Sequence, residues 1–256
     1  MASFVVHYIA GEQFINSINN KINDDDKNNF RLGNLVVDSM GRDSYSRDYK
    51  LSKKMITHFR DDMDFDKNMQ LPNVEEFRNK YRNLVSSDYS AMGYLFHLYT
   101  DKLFFKYLYD SVIECYDKDM NKTDKISNNY YVKVLKNNKI YKTIDFYSGN
   151  SIGGLYKDYS KMNKYLINKY NIRFDYEVLK NFSLVSFNNP GIEEIDYNNI
   201  LEVIDKMNNI ISNCDKYSDN RLDIFDIKDI EKFIFRVVDE FNYNFYDDIK
   251  FLVRKR

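Results

Sequence analysis

Residues Tyr94–Phe105 read YLFHLYTDKLFF, an apolar run of helix length that carries a histidine and an aspartate four positions apart. On a helix, positions i and i+4 lie one above the other, so the His97 imidazole and the Asp101 carboxylate converge on one point. Gly93, Tyr94, Phe104, Phe105 and Leu108 share that face, which predicts that the pair is buried. A buried carboxylate beside a histidine is costly unless something satisfies it, and a divalent cation does so. Ser87 or Asp88 is the expected cap of this helix, which is predicted to continue to about Tyr116.

Towards the N-terminus, Ser3 is the expected cap of a first helix, in which Phe4, His7, Ala10, Gly11, Phe14 and Ile18 recur at helical spacing to about residue 21. His7 falls on its apolar face. The polar run NDDDKNN reads as a loop, and Phe30–Met40, FRLGNLVVDSM, as a short apolar segment closed by Asp38 and then Gly41. A carboxylate at a helix C-terminus opposes the helix dipole, so another demand must fix Asp38 there. The stretch between Gly41 and Lys54 is read as irregular, and MITHFRDD, with His58 between apolar neighbours, as a short buried connection. Asn73 and Glu76 have the spacing of a capping box for a helix ending near Val85.

On the C-terminal side, the polar run MNKTDKISNN marks a boundary. Tyr130–Phe146 alternates aromatic and β-branched residues with polar ones around Asn137–Asn138, the signature of a β-hairpin. Gly153 and Gly154 lead into a helix ending near Tyr170, and the chain turns near Pro190. Ile200, Val203, Ile204, Met207, Ile210 and Ile211 define a further helix. Ile227, Ile230, Ile234, Val237 and Val238 define another, with Asp226 as its cap. The fold class is therefore mainly α with a small β-hairpin insertion. The chain is read as one helical domain over residues 1–256: a metal-binding helical core at 1–116, a loop and hairpin insertion at 117–150, and C-terminal helices at 151–256.

Composition narrows the function classes. Lys and Arg total 38 against 39 for Asp and Glu, which argues against a general nucleic-acid footprint. The N-terminal MASFVVHYIAGEQF lacks the basic start of a signal peptide, no apolar run reaches the length of a membrane span, and Cys115 and Cys214 have no metal-type spacing. A cytoplasmic protein with reduced thiols is the expectation.

The chain has three histidines, His7, His58 and His97, each in an apolar context. With Asp38 and Asp101 they supply neutral imidazoles and carboxylates, natural ligands for zinc, manganese or iron. Two histidines and two aspartates suffice for one ion, and an aspartate can bridge to a second ion held by the remaining histidine. His58 is followed by Phe59 rather than by the aspartate of a His-Asp phosphohydrolase, and no histidine has the glutamate three residues before it that ferritin-like sites use.

SFVVHYIAGEQF, FRLGNLVVDSMG, ITHF and YLFHLYTDKLFFKYL resemble segments of the zinc-dependent phospholipase C and single-strand nuclease family, particularly its small intracellular bacterial members. Gly33 to Asp38 and Gly93 to Asp101 fit best; the helix holding Asp158, Met162 and Asn163 fits loosely. The resemblance implies a phospholipase C-like helical bundle in which Asp38, His58, His97 and Asp101 hold one ion and His7 and Asp101 contribute to a second. The chain departs from the secreted, trinuclear members in having no tryptophan and no histidine after His97. One or two ions, zinc foremost, are expected.

These readings imply a metal-dependent phosphoric-ester hydrolase in which Asp38, His97 and Asp101 are the catalytic set. The substrate would be a soluble phosphodiester or phosphomonoester, a small molecule or nucleotide, with no stable nucleic-acid partner and no membrane. The alternative is a catalytically degenerate, metal-stabilised helical module that binds a partner. Asp61, Asp62 and Asp64 read as a solvated acidic loop or outer-shell acids, Asp158 as an exposed helical residue or a replacement ligand, and Tyr94 and Thr100 as core or phosphate contacts.

Overall fold

The computed structural model describes residues 2–18, 22–38, 53–60, 69, 71–148, 154–195, 197–214 and 221–254, with the side chains of 53–54 and 251–254 excepted. The stretch from Gly41 to residue 52, Gly153, and Asp61, Asp62 and Asp64 lie outside the described residues. The fold is mainly α with one small antiparallel sheet.

The centre of the molecule is α6, Tyr89–Phe104. Asp88 caps it, its carboxylate accepting from the Ala91 N–H at 2.8 Å. All its residues except Lys102 are buried. The helix therefore has no solvent face to set against an apolar one, and the other elements pack around it.

Helices α1 (Phe4–Ile18) and α2 (Asp24–Val36) lie beside it. Ser3 caps α1 as expected, accepting from Val6 N–H at 3.3 Å while donating to Asn163 Oδ1 at 2.7 Å. The NDDDKNN run, expected as a loop, is instead the start of α2. Asn23 caps it, accepting from Asp26 N–H at 2.8 Å, and Asp24, Asp25 and Asp26 fill the first turn. Acidic residues are favourable at that end of the dipole, so a sequence polar enough for a loop makes a good helix start. Arg31 ties α2 to α1 by two parallel bonds to Glu12, at 2.6 and 2.8 Å.

The α2–α6 crossing is made backbone to backbone. A Cβ added at Gly33 would stand 2.0 Å from the Ser90 carbonyl oxygen, and one at Gly93 would stand 2.2 Å from that of Phe30. Only glycine at both positions permits this approach. Phe14, Phe30, Phe96 and Phe241 pack into one aromatic cluster, with ring centroids 4.9–5.7 Å apart, which joins α1, α2 and α6 to α12 (Ile227–Asn244).

Between α2 and α6 in sequence come α3 (Lys53–Thr57), α4 (Val74–Lys80) and α5 (Arg82–Val85). Asn73 caps α4 as expected, with Glu76 N–H donating to its Oδ1 at 3.1 Å. The reciprocal half of the expected capping box is replaced: the Glu76 carboxylate accepts from the Asn73 side-chain amide at 3.2 Å, and the Asn73 backbone N–H donates to the Phe59 carbonyl. The helix expected to run to Val85 is interrupted at Tyr81, which leaves helical geometry at φ −111°.

Beyond α6 the expected helix to Tyr116 is corrected. Phe105–Tyr109 is a π-helical turn and Asp110–Val112 a last short turn, α7, after which the chain becomes strand β1, Ile113–Tyr116. β1 alternates buried and half-buried residues and pairs antiparallel with β2 (Lys122–Thr123) and β3 (Tyr131–Val134). β3 pairs with β4 (Ile140–Lys142), giving the order β2-β1-β3-β4. The hairpin turn falls at Asn138, in the left-handed region at φ +57°, where asparagine is tolerated. Residues Thr143–Phe146, expected in the second strand, form a single helical turn, α8.

α9 (Leu155–Lys169), α11 (Ile200–Ser212) and α12 follow the expected spans, with Asp226 capping α12. The sequence reading did not single out α10 (Tyr176–Val185) or α13 (Tyr246–Arg254). Among the described residues no helix is long and apolar enough to cross a membrane.

Candidate metal centre

Four separate segments deliver the site. His7 comes from the second turn of α1, Asp38 from just beyond α2, His58 from just beyond α3, and His97 and Asp101 from α6. All five expected residues are brought together, and all are buried, from 0% exposed for His7, His58 and Asp101 to 6% for Asp38.

Each segment is fixed by local chemistry. The α2–α6 glycine crossing sets the Asn34 carbonyl 2.7 Å from His97 Nδ1. A carbonyl only accepts, so Nδ1 carries the proton and His97 Nε2 keeps its lone pair for the site. The Asn34 side chain donates to the His7 carbonyl at 2.8 Å, so one residue braces both histidine-bearing helices. His58 stands where α3 ends, just before Phe59, whose φ of +49° is left-handed and strained for a bulky residue. The strain is held by packing: Phe59 is buried edge-on to Phe77 and Tyr94, at 5.3 and 6.4 Å. The Tyr94 hydroxyl donates to the Thr57 carbonyl, and Thr57 Oγ1 lies 3.0 Å from His58 Nδ1, leaving His58 Nε2 facing inward.

At the centre, His58 Nε2 is 3.6 Å from Asp38 Oδ1 and 3.4 Å from Asp101 Oδ2. His97 Nε2 is 4.0 Å from Asp38 Oδ2 and 3.8 Å from the same Asp101 oxygen. Zinc with nitrogen and oxygen donors at about 2.0–2.1 Å in tetrahedral geometry places donor atoms about 3.3 Å apart. The four separations run slightly longer than that spacing, and the two to Asp38 engage different oxygens of its carboxylate. His97 Nε2 and Asp101 Oδ2 make no hydrogen bond among the described residues although both are buried, which is the condition a cation relieves.

Asp101 divides its two oxygens. Oδ1 accepts from the Ala2 N–H at 2.8 Å and stands 3.1 Å from His7 Nε2, whereas Oδ2 faces His58 and His97. The His7 and His97 rings stack with centroids 3.8 Å apart and planes 1° from parallel, while His58 meets His97 at 74°. By distance alone two donor groups qualify for an ion: His7, His97 and Asp101, and Asp38, His58 and His97.

The electrostatics suit a cation. Burial, reinforced by the neighbouring His7, pushes His97 down to about 3, so its imidazole is neutral at physiological pH. Burial opposes ionisation of Asp101, but His58 and His7 outweigh it and hold the carboxyl well below its usual range. The carboxylates of Asp38 and Asp101 would together offset the charge of one divalent ion.

The sequence reading missed two residues that bear on the site. Asn34 is an amide inside the apolar run FRLGNLVV, and that misplacement is its signal. Arg60 is half-buried; burial depresses its guanidinium while the charges of Asp101 and Asp38 pull the other way, placing it within electrostatic reach of both. Other candidates fall away. Tyr94 is fully buried and stacked on Phe77 at 4.4 Å, and the Thr100 hydroxyl donates to the Phe96 carbonyl at 2.8 Å. Asp158 is neither exposed nor a ligand. It is 2% exposed and accepts backbone N–H groups from Asp223, Ile224 and Phe225 at 2.6, 3.1 and 3.0 Å.

Among models of known protein families, curated proteins and solved structures, none matches this chain, so the geometry of the site is what speaks for its function.

Proposed function

We propose that the protein is a metal-dependent hydrolase of phosphoric esters, with Asp38, His58, His97 and Asp101 as the ligands of a divalent ion, zinc foremost. The reading rests on one observation: two imidazole nitrogens and two carboxylates from three segments face one another, buried, at separations of 3.4–4.0 Å. When bound, such an ion supplies a Lewis acid for a phosphoryl oxygen and brings the pKa of bound water toward neutrality. The chain's own residues do the rest. Asn34 holds the His97 ring through Nδ1, and Thr57 fixes His58, so both imidazoles are pre-oriented. Arg60 adds a cation beside the centre, which suits a substrate that is anionic at neutral pH. The same arrangement supports the phospholipase C-like resemblance, with a soluble phosphodiester or phosphomonoester as the substrate class.

The test is hydrolysis of an aryl phosphodiester and an aryl phosphomonoester by the full chain with added zinc or manganese. Activity abolished by His97→Ala and by Asp38→Ala is the expected result. Protein shown to contain its ion yet inert on a broad panel of phosphate esters overturns the enzyme reading. It favours the second reading, a helical module braced by a structural ion, for which the observation is the near-complete burial of every donor.

A further inference from the structure

We infer that the centre takes a single ion and that His7 is a positioning residue for Asp101 and His97, not a ligand. This rests on the metal reading above and specifies how the five residues divide the work.

A ligand imidazole binds through an in-plane lone pair, so the ion lies in the plane of the ring. The His7 and His97 planes are 1° from parallel, with centroids 3.8 Å apart. An ion in the plane of His97 therefore lies outside the plane of His7 by about the thickness of the stack. His7 and His97 cannot share an ion, and the first of the two donor groups dissolves. His58, at 74° to His97, converges with it, and the second group stands.

A second ion held by His7 with Asp101 fares no better. His97 has one ligating nitrogen, because Nδ1 is engaged by the Asn34 carbonyl, and that nitrogen faces Asp38 and Asp101 Oδ2. Asp101 Oδ1 is engaged by the Ala2 N–H and by His7 Nε2. Among the described residues, what remains around His7 is its own Nδ1, buried and without a hydrogen bond, which is too few donors for an ion. What His7 does provide is a hydrogen bond that turns Asp101 Oδ2 inward and a flat surface that holds the His97 ring. Carboxylate and imidazole partners of this kind change metal affinity by about 10–100-fold without touching the ion.

The experiment compares full-length wild type with His7→Gln, His7→Phe and His58→Ala. It measures zinc per chain, zinc affinity by chelator competition, and the visible spectrum of the cobalt-loaded protein. Glutamine can still donate to Asp101 Oδ1; phenylalanine can stack but cannot donate. The expected result is one ion per chain in wild type and in both His7 variants. Affinity should be near wild type for His7→Gln and about 10–100-fold weaker for His7→Phe. The cobalt spectrum should be unchanged in His7→Gln, and His58→Ala should lose the ion.

Two ions per wild-type chain falling to one in His7→Gln overturns the inference. So does an altered or absent cobalt spectrum in His7→Gln while wild type binds normally. A wild-type chain that binds neither zinc nor cobalt overturns the metal reading beneath it, a failure distinct from the other two.

Discussion

Two buried polar clusters in this molecule look alike by burial and differ in how they are satisfied. Around Asp158, each demand is met by the chain. Its carboxylate accepts three backbone N–H groups from 223–225, and Lys161, one turn on, donates to the Arg221 carbonyl at 2.7 Å. Lys136 joins from the turn between β3 and β4, donating to the carbonyls of Leu222 and Phe225 at 2.9 and 2.7 Å. Around Asp101, His97 Nε2 and Asp101 Oδ2 are buried and unbonded among the described residues, and face one another. A buried charge saturated by backbone is architecture, whereas buried donor atoms left facing one another form a seat for a ligand. Burial alone does not separate the two.

The largest effect that can break this distinction lies at the architectural cluster. Asp158→Ala strands three backbone N–H groups and should destabilise the protein by about 3–5 kcal/mol in urea unfolding, with zinc affinity of the folded protein unchanged. If zinc affinity falls as well, the clusters are coupled and the contrast fails. Next in size is the response to metal. Zinc at a hundredfold excess over its dissociation constant should stabilise wild type by about 2.7 kcal/mol. Asp38→Asn should remove that increment while leaving the metal-free protein nearly as stable as before. An absent zinc increment in wild type would put both clusters in the architectural class.

The α2–α6 crossing sharpens the contrast further. Gly33→Ala forces a methyl group to within 2.0 Å of the Ser90 carbonyl oxygen unless the helices part, a loss of about 2 kcal/mol in urea unfolding. Parting them also loosens the Asn34 carbonyl from His97, so zinc binding should weaken about tenfold. The smallest effect is on pH. His97 titrates near 3 in the folded, metal-free protein and near its ordinary value when unfolded. Between those values the unfolded chain binds the extra proton, so stability rises with pH and falls on acidification. The slope from this residue is about 1.4 kcal/mol per pH unit below pH 6. Asp101 adds to the loss only below the ordinary carboxylate range, because its folded value is depressed. The slope between pH 6 and pH 5 should therefore flatten in His97→Asn; a slope that persists there excludes His97 as its source.

The five donors are legible in the sequence because each is a polar residue set in an apolar stretch, and His97 and Asp101 share one helical face. Their pairing is not legible. The stacking of His7 on His97, on which the proposed division of the histidines rests, depends on how α1 meets α6, two helices far apart in the chain, and not on spacing within either segment. The misread elements have a common cause as well. Asp24–Asp26 is polar enough for a loop, but Asn23 and the helix dipole make it a helix start. Ile113–Tyr116 continues a helical pattern in sequence, but pairing with strands on both sides makes it an inner strand of the sheet. Asp158 has the spacing of a surface position on α9 and is buried because the 221–225 segment folds over it, a partner far along the chain.

The donors at positions 38, 58 and 97–101 belong to stretches that are otherwise free to separate when the chain unfolds. An ion seated among them acts as a removable cross-link, closing loops of tens of residues, as a disulfide would but under the control of metal supply rather than redox state. Chelation then loosens more than the site. It releases the ends of α2 and α3 from the central helix together, so the first region to become labile on metal depletion should be the ring of segments around α6, while the Asp158 latch stays closed.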